Sequence, residues 1–89
     1  MAKFLVVHPV GKEFDVEAAT PMAKGIKAGL TVDAYWVRSS YVREEGKLYC
    51  EWQAKDAESI RQVLAKTAPE LPTEGVYEVE LVIDSEDFR

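Results

Sequence analysis

The sequence contains few of the side chains from which metal and catalytic sites are usually built. Among its 89 residues there is one cysteine, Cys50, and one histidine, His8. A single cysteine excludes an intramolecular disulfide and a CxxC motif. One cysteine and one histidine are also too few for a zinc site, which uses roughly three or four protein ligands. Because an unpaired thiol survives best in a reducing compartment, we expect a cytoplasmic (cytosolic) protein.

Basic clusters and long apolar runs are absent as well. Eleven Lys and Arg residues stand against 16 Asp and Glu residues, and no two basic residues are adjacent. The net charge of -5 argues against a nucleic-acid partner, since phosphate binding requires a basic surface. No stretch approaches the ~20 apolar residues of a membrane span, and we find no signal-peptide pattern and no Gly-rich phosphate loop.

The composition that remains is that of a globular protein. Hydrophobic residues make up 47% of the chain, which favours a folded chain over a disordered one. We expect one domain over residues 1–89, because two domains would each be too small to build a core. A domain of this size buries only roughly 60–65% of its unfolded surface, so dimerisation would add stability.

Hydrophobic periodicity predicts six elements in the order β-α-β-β-α-β. Apolar residues at spacings of three and four indicate two helices, and β-branched and aromatic runs indicate four strands. Strands are expected at 3–8, 33–43, 47–53 and 76–83, and helices at 15–30 and from 56 to about 68. The first helix begins either at an Asp15 cap or at a Thr20 cap followed by Pro21. Asp56 caps the second helix.

This order predicts an α+β fold of the ferredoxin-like type, a four-stranded antiparallel sheet of order 4-1-3-2 with two helices on one face. In the last strand, the set expected to face the helices is Tyr77, Val79, Leu81 and Ile83. The opposite, open face mixes aromatic and charged side chains, which suits a homodimer packed sheet to sheet around a wet cavity, as in dimeric α/β-barrels. An acidic tail, 84–89, follows and carries Phe88.

Cys50 and His8 are the first candidates for a site. Strand alternation places Cys50 on one face with Leu48 and Trp52, where the thiol is either a buried apolar group, a soft metal ligand or a nucleophile. His8 ends the first strand and is either a hydrogen-bonded structural histidine or a base or ligand beside a cavity.

A second candidate is a ligand cavity on the open sheet face. Its expected residues are Tyr35, Arg38, Tyr41, Tyr49 and Glu51. The aromatic rings would hold a flat ligand or form a dimer interface, and Arg38 would hold an anion. Glu51, Glu78 and Glu80 either meet on this face as acid-base groups or pair with basic side chains across the strands.

Several short motifs resemble one family. The matching segments are Trp36-Val37, Ser40-Tyr41-Val42, Tyr49-Cys50-Glu51, the helix start from Ala54 to Arg61, Leu71-Pro72 and Glu78-Val79. They are similar to a family of short ferredoxin-like proteins long described as of unknown function, which includes nickel-binding members. The resemblance covers most of the chain from Tyr35 onward.

The resemblance implies a ferredoxin-like dimer and, for the nickel-binding branch, a metal held by side chains on the sheet. Cys50 is the residue that stands in the family's motif. Ser39 occupies the position where that branch typically has a histidine. Val7 occupies a position in strand 1 where the branch tends to have a glutamate, and His8 is the next residue. Strand 2 also carries one extra residue before Ser40.

Three functions are open at this stage. The leading hypothesis is a small dimeric binding protein for a divalent transition metal such as nickel, with Cys50 and His8 as ligands; residue type alone does not choose among nickel, copper and zinc. The alternative is an enzyme or small-molecule binder that uses a cavity on the open sheet face. The third is a structural or regulatory dimer.

Overall fold

The computed structural model describes residues 1–88, and its elements occur in the predicted order. The strands are β1 (Ala2–His8), β2 (Ala34–Val42), β3 (Lys47–Ala54) and β4 (Gly75–Glu78), and the helices are α1 (Ala19–Ala28) and α2 (Ala57–Thr67). The sheet is antiparallel throughout and has the order β2-β3-β1-β4. Counted from the other edge, this is the predicted order 4-1-3-2, so the ferredoxin-like architecture is confirmed.

The core lies between the helices and one face of the two central strands. Phe4 pairs with Trp52 and Val6 with Cys50, and all four side chains are buried. They pack against buried aliphatic side chains of both helices, among them Ile26, Ile60, Val63 and Leu64. We call this side of the sheet the helix face and the opposite side the open face.

Helix α2 follows its predicted start closely. The Asp56 side chain accepts hydrogen bonds from the backbone N–H and the hydroxyl of Ser59, at 2.8 and 2.7 Å, as an N-cap does. These bonds lower the pKa of Asp56. Neither α1 nor α2, the two α-helices of residues 1–88, has the length and apolar character needed to cross a membrane.

Helix α1 is shorter than predicted, and neither predicted cap is correct. Asp15 accepts a hydrogen bond from the backbone N–H of Glu17 and forms a separate turn, so the helix begins only at Ala19. Thr20 and Pro21 lie inside its first turn, where the backbone N–H that proline lacks has no helical partner to lose. Gly29 forms the C-cap.

Strand β2 contains one residue more than its partner. Trp36 pairs with Trp52 but Arg38 pairs with Glu51, so Val37 forms a β-bulge. The extra residue before Ser40 is therefore this bulge, and it reverses the face of the sheet on which the following residues of β2 lie. Its consequence is that Ser39 lies opposite Cys50, on the helix face.

Strand β4 is half its predicted length, and the predicted facing of its side chains is wrong. Pairing with β1 ends at Glu78. One further hydrogen bond joins the N–H of Val79 to the carbonyl of Lys3. Val76, opposite buried Val6, faces the helices, whereas Tyr77 lies on the open face. Leu81 and Ile83 are about 70% and 68% exposed. A 3₁₀ helix spans Ser85–Phe88, and Arg89 lies outside the described residues.

Candidate functional site

A cavity of about 240 Å³ lies between α1 and the helix face of the sheet. Most of its lining is aliphatic or aromatic, and in the described part of the chain no Asp, Glu, Lys or Arg side chain lines it. Its polar lining is small and comes mainly from the strands. The lining includes His8, Ser39, Cys50 and Trp52 from the sheet, Met22 and Ile26 from α1, and Phe14 from the loop between β1 and α1. Both leading candidate residues therefore belong to one cavity.

His8 is held in one tautomer, with a free nitrogen. The residue is 1% exposed. Nδ1 donates to the carbonyl oxygen of Pro72 at 3.0 Å, and Thr73 Oγ1 lies 3.2 Å from the same nitrogen. Because a carbonyl only accepts, the proton is on Nδ1, and Nε2 keeps a lone pair. Within residues 1–88, Nε2 is buried and has no hydrogen-bond partner.

Burial also keeps the His8 ring neutral. Loss of hydration lowers the pKa of His8, and the hydrogen bond to Pro72 only partly opposes this effect. A neutral imidazole that donates through one nitrogen to a carbonyl and presents the other is the arrangement of a metal-ligating histidine.

Cys50 is the second donor in the cavity. Its side chain is buried, and burial raises the pKa of the thiol to about 11, although a hydrogen bond from Ser39 acts in the opposite direction. Ser39 Oγ donates to Cys50 Sγ at 2.8 Å and accepts from Trp36 Nε1 at 2.9 Å. A thiol with a raised pKa is a poor nucleophile at neutral pH, so the nucleophile hypothesis loses its physical basis.

The sheet register makes His8 and Cys50 diagonal neighbours. His8 pairs with Leu48, and Cys50 pairs with Val6, two residues along each strand and on the same face. Diagonal positions on adjacent strands are within reach of longer side chains. The two donors thus share one wall of the cavity.

The loop between β1 and α1 borders the same cavity. Tyr41 donates from its hydroxyl to the carbonyl of Gly11 at 2.7 Å, and its ring lies 5.2 Å from that of Phe14. Ser39 is solvent-exposed on the edge strand while also lining the cavity. Solvent therefore reaches the cavity beside Ser39.

The open-face cavity is not assembled as predicted. Tyr41 pairs with Leu48 and lines the helix-face cavity, so it is separated from the other four residues. A groove of about 430 Å³ does exist on the open face, and its lining includes Arg38 and Glu51 but not Tyr35 or Tyr49.

The polar groups predicted for this second site have partners that explain them structurally. Arg38 Nε and Glu51 form an exposed ion pair at 3.4 Å. Lys27 donates to the hydroxyl of Tyr35 and lies over its ring. The Tyr49 hydroxyl donates to Glu45, which raises the pKa of Tyr49.

The three glutamates do not converge. Glu78 pairs with Phe4, whose side chain is on the helix face, whereas Glu51 pairs with Leu5 on the open face. Glu80 lies beyond the end of β4. The three carboxylates therefore do not form the cluster that an acid-base site on the open face would need.

Sequence reasoning did not identify Met22 or the indole of Trp52 as parts of the site. Trp52 Nε1 is the other buried side-chain polar atom without a partner within residues 1–88. Strand alternation places Trp52 on the same face as Cys50, and this pattern could have identified Trp52 as a neighbour of the site. Met22 carried no comparable signal, because a methionine on an apolar helix stripe normally belongs to the core.

The donor types of the cavity fit a late transition metal, because imidazole nitrogen and thiolate sulfur are ligands for nickel, copper and zinc. The cavity offers fewer donors than a nickel ion binds. Square-planar Ni²⁺ takes about four donors, and no cluster of three or more His, Cys, Asp or Glu residues occurs in the described part of the chain. Positions beyond His8 and Cys50 would be left to water.

Comparison with known proteins points to one family. A family model described as "Nickel responsive protein SCO4226-like" matches residues 4–79. The crystal structure of SCO4226 from Streptomyces coelicolor A3(2) is similar, with a TM-score of 0.80 and 17% sequence identity over 92% of this chain and 100% of that chain. At this identity the structural likeness shows the fold alone. No curated protein sequence matches significantly.

Proposed function

This chain belongs to the SCO4226-like family of nickel responsive proteins, and we propose that it is a small cytosolic binding protein that holds one transition-metal ion with His8 and Cys50. The observation that carries the proposal is the orphaned Nε2 of His8. A buried polar atom without a partner is uncommon in a native fold and calls for a specific explanation. A bound ion would supply the partner.

The surroundings of His8 support this role. The hydrogen bond from Nδ1 to Pro72 orients the ring and leaves Nε2 as the only free nitrogen. Hydrogen bonds of this kind fix the tautomer of metal-ligating histidines and increase their basicity. Cys50 adds a second donor on the same wall. Nickel is the first ion to test, because the family is described as nickel responsive.

The test is a thermal melt of tag-free protein with Ni²⁺, Cu²⁺, Zn²⁺ or Co²⁺ and with chelator. A ligand that binds only the folded state at 100 times its Kd adds about 2.7 kcal/mol, which is several degrees in Tm for a domain of this size. We expect a metal-dependent rise in Tm that is lost in His8→Gln and in Cys50→Ser.

The control variant is Glu51→Gln, which changes the residue next to Cys50 but on the open face. We expect this variant to keep the full metal-dependent rise. If Glu51→Gln removes the rise while Cys50→Ser keeps it, the metal lies on the open face instead. If no ion raises Tm in the unaltered protein, metal binding by this chain is rejected.

We further propose that the protein is a homodimer through its open face. Leu81, Val82 and Ile83 follow one another in the segment after β4, and each is more than half exposed. Val82 and Val79 border the open-face groove together with Leu5. A contiguous apolar surface of this kind is typical of an interaction site, and a second copy of the same face would cover it.

Sedimentation velocity at micromolar concentration tests the dimer. We expect the dimer mass for the unaltered chain and a shift to monomer for Val82→Asp, since Val82 lines the open-face groove. Val32→Asp is the matched control, because Val32 is also a valine and 88% exposed but precedes β2 and does not line the open-face groove. A monomer in the unaltered protein contradicts the proposal.

The enzyme or small-molecule alternative on the open face has less support. Its five residues are divided between the two faces of the sheet, and Arg38 already pairs with Glu51.

A further inference from the structure

We propose that the cavity selects a soft monovalent ion, copper(I), over nickel(II) and other divalent ions. The inference rests on the proposed function, since it assigns the same two ligands, His8 and Cys50. It adds the identity of the preferred ion, which follows from the charge and the number of donors that the cavity contains.

Charge is the first argument. Within residues 1–88, no carboxylate lines the cavity, and the Tyr41 hydroxyl donates to the carbonyl of Gly11. The Cys50 thiolate is therefore the one anion that the lining can offer. One thiolate and one Cu⁺ form a neutral unit, whereas one thiolate and one Ni²⁺ leave a net positive charge. An uncompensated charge in an apolar environment is strongly unfavourable.

Donor number is the second argument. Cu⁺ is satisfied by two or three soft donors, and thiolate and thioether sulfur select for it. Cys50 and His8 provide two, and the thioether of Met22 is the only other sulfur in the lining. Met22 belongs to α1, so it is placed to add a third donor from the wall opposite the sheet. Divalent nickel would remain short of ligands in the same place.

Binding involves no change of oxidation state. The S–H bond of Cys50 breaks as the S–Cu bond forms, and one proton passes to the buffer. His8 gives up no proton, because Nδ1 keeps its hydrogen on the Pro72 carbonyl and the lone pair of Nε2 forms the bond. The exposed position of Ser39 provides access from solvent.

The experiment is an anaerobic titration of the reduced protein with Cu⁺ in competition with a chromogenic copper(I) chelator, with parallel titrations of Ag⁺, Zn²⁺ and Ni²⁺. We expect one Cu⁺ per chain, one proton released per ion, and a Kd at least about 100-fold lower for Cu⁺ and Ag⁺ than for Ni²⁺ and Zn²⁺. Ag⁺ shares both the charge and the low donor number of Cu⁺, whereas Zn²⁺ accepts the same donor types but differs in charge and in the number of donors it needs.

Variants assign the ligands. Cys50→Ser and His8→Gln should each weaken Cu⁺ binding by more than about 100-fold, since even changes outside the ligand set cost 10- to 100-fold. Met22→Leu, which retains volume, should weaken it by about 10-fold or more. Circular dichroism of each variant separates ligand loss from unfolding, and Glu51→Gln serves as the control with unchanged affinity.

The outcomes distinguish this inference from the proposed function. Tight Ni²⁺ binding that depends on His8 and Cys50, with Cu⁺ no tighter, overturns the copper(I) inference and leaves the metal-binding proposal intact. Absence of binding for all four ions rejects both. Undiminished Cu⁺ binding in both Cys50→Ser and His8→Gln places copper elsewhere and also overturns the inference.

Discussion

Ser39 donates a hydrogen bond to the sulfur of Cys50, at 2.8 Å, across the ladder between β2 and β3. The bulge at Val37 makes this contact possible, because without the extra residue the alternation of β2 would point position 39 to the open face. Ser39 therefore stands at the solvent-exposed edge of the cavity, in direct contact with one of its two proposed metal ligands.

This contact predicts a gain of function. Ser39→His would place an imidazole beside Cys50 and give the cavity a third strong donor. Because the unaltered site has too few donors for a divalent ion, we expect Ser39→His to increase the affinity for Ni²⁺ and Zn²⁺ by at least about 10-fold. Isothermal titration calorimetry of the variant and the unaltered protein measures the change.

Ser40→His is the matched control. Ser40 is the next residue along β2 and pairs with Tyr49 on the open face, so its imidazole would be directed away from the cavity. An equal gain in affinity in both variants would mean that an added surface histidine binds the ion by itself, and the proposed geometry would be wrong.

A second prediction concerns stability in acid. The pKa of His8 is lowered in the folded protein from its ordinary 6.5, so between the lowered value and 6.5 the unfolded chain binds more protons than the folded one. Stability is then complete above pH 6.5 and falls as the pH drops below it, by up to about 1.4 kcal/mol per pH unit for one proton.

Urea unfolding at several pH values between 4 and 8 measures this slope. His8→Gln removes the titrating group, so we expect the free energy of unfolding of this variant to depend less steeply on pH below 6.5 than that of the unaltered chain, by an amount equivalent to up to about one bound proton. Carboxylates contribute equally to both proteins and cancel in the difference. Identical slopes would indicate that His8 titrates normally and is not buried as described.

A third prediction concerns stability in alkali and has the opposite sign. The pKa of Cys50 rises in the folded protein from 9.0 to about 11, so the folded chain holds the thiol proton where the unfolded chain has lost it. The stabilisation is present below pH 9 and is lost as the pH rises to 11, amounting to roughly 2–3 kcal/mol.

Comparison with Cys50→Ser isolates this effect, because serine does not titrate in the range and lysines and tyrosines titrate in both proteins. We expect the difference in the free energy of unfolding between the two to shrink steadily from pH 9 to pH 11. A constant difference would show that the folded thiolate is as well solvated as the unfolded one.

The sequence was sufficient for the architecture because its strongest signals are local. Asp56 before an apolar helix stripe, for example, specifies the start of α2 by residues that are adjacent in sequence. The side of the sheet on which Cys50 lies also followed from the period of two in β3. These features depend on neighbours within a few positions, which a sequence displays directly.

The errors concern features set by distant partners. The pattern from Val79 to Ile83 has full strand character, but β1 runs antiparallel to β4 and begins at Ala2, so the residues after Glu80 run past the strand that would pair with them. The facing of Val76 and Tyr77 was ambiguous for a related reason, since both alternating sets contain apolar residues. Only the register with β1 decides between them.

The candidate site was predicted in part. His8 and Cys50 were singled out as scarce donors, and strand pairing explains why they meet. The placement of Tyr41 in the helix-face cavity depends on the bulge at Val37, because one inserted residue reverses the face of every residue that follows it. The extra residue before Ser40 indicated an irregularity in β2, but only the register with β3 decides the face on which Tyr41 lies.

The last prediction compares two glycines with opposite roles. Gly46 has φ of +67° in the hairpin turn, and its carbonyl accepts from the N–H of Gly11 at 2.8 Å. A Cβ at position 46 would lie 2.9 Å from the carbonyl carbon of Gly11 and 3.0 Å from the nitrogen of Lys12, both of which are backbone atoms that cannot rotate away.

Gly46→Ala should therefore destabilise the fold by about 1–3 kcal/mol, from the left-handed backbone conformation and the displaced loop. Gly25 lies exposed within α1, and a Cβ there meets nothing within 4 Å. Gly25→Ala should stabilise the fold by about 0.5–1 kcal/mol, because alanine is the better helix former.

Thermal unfolding of the two variants should give shifts in Tm of opposite sign, by about 4–8 °C per kcal/mol for a domain of this size.

The two variants also test whether the loop between β1 and α1 contributes to the helix-face cavity, since the loop that carries Phe14 is joined to the hairpin through Gly11 and Gly46. If metal affinity falls in Gly46→Ala but not in Gly25→Ala, the loop contributes to the site. Two shifts of the same sign would contradict the backbone geometry at one of the glycines.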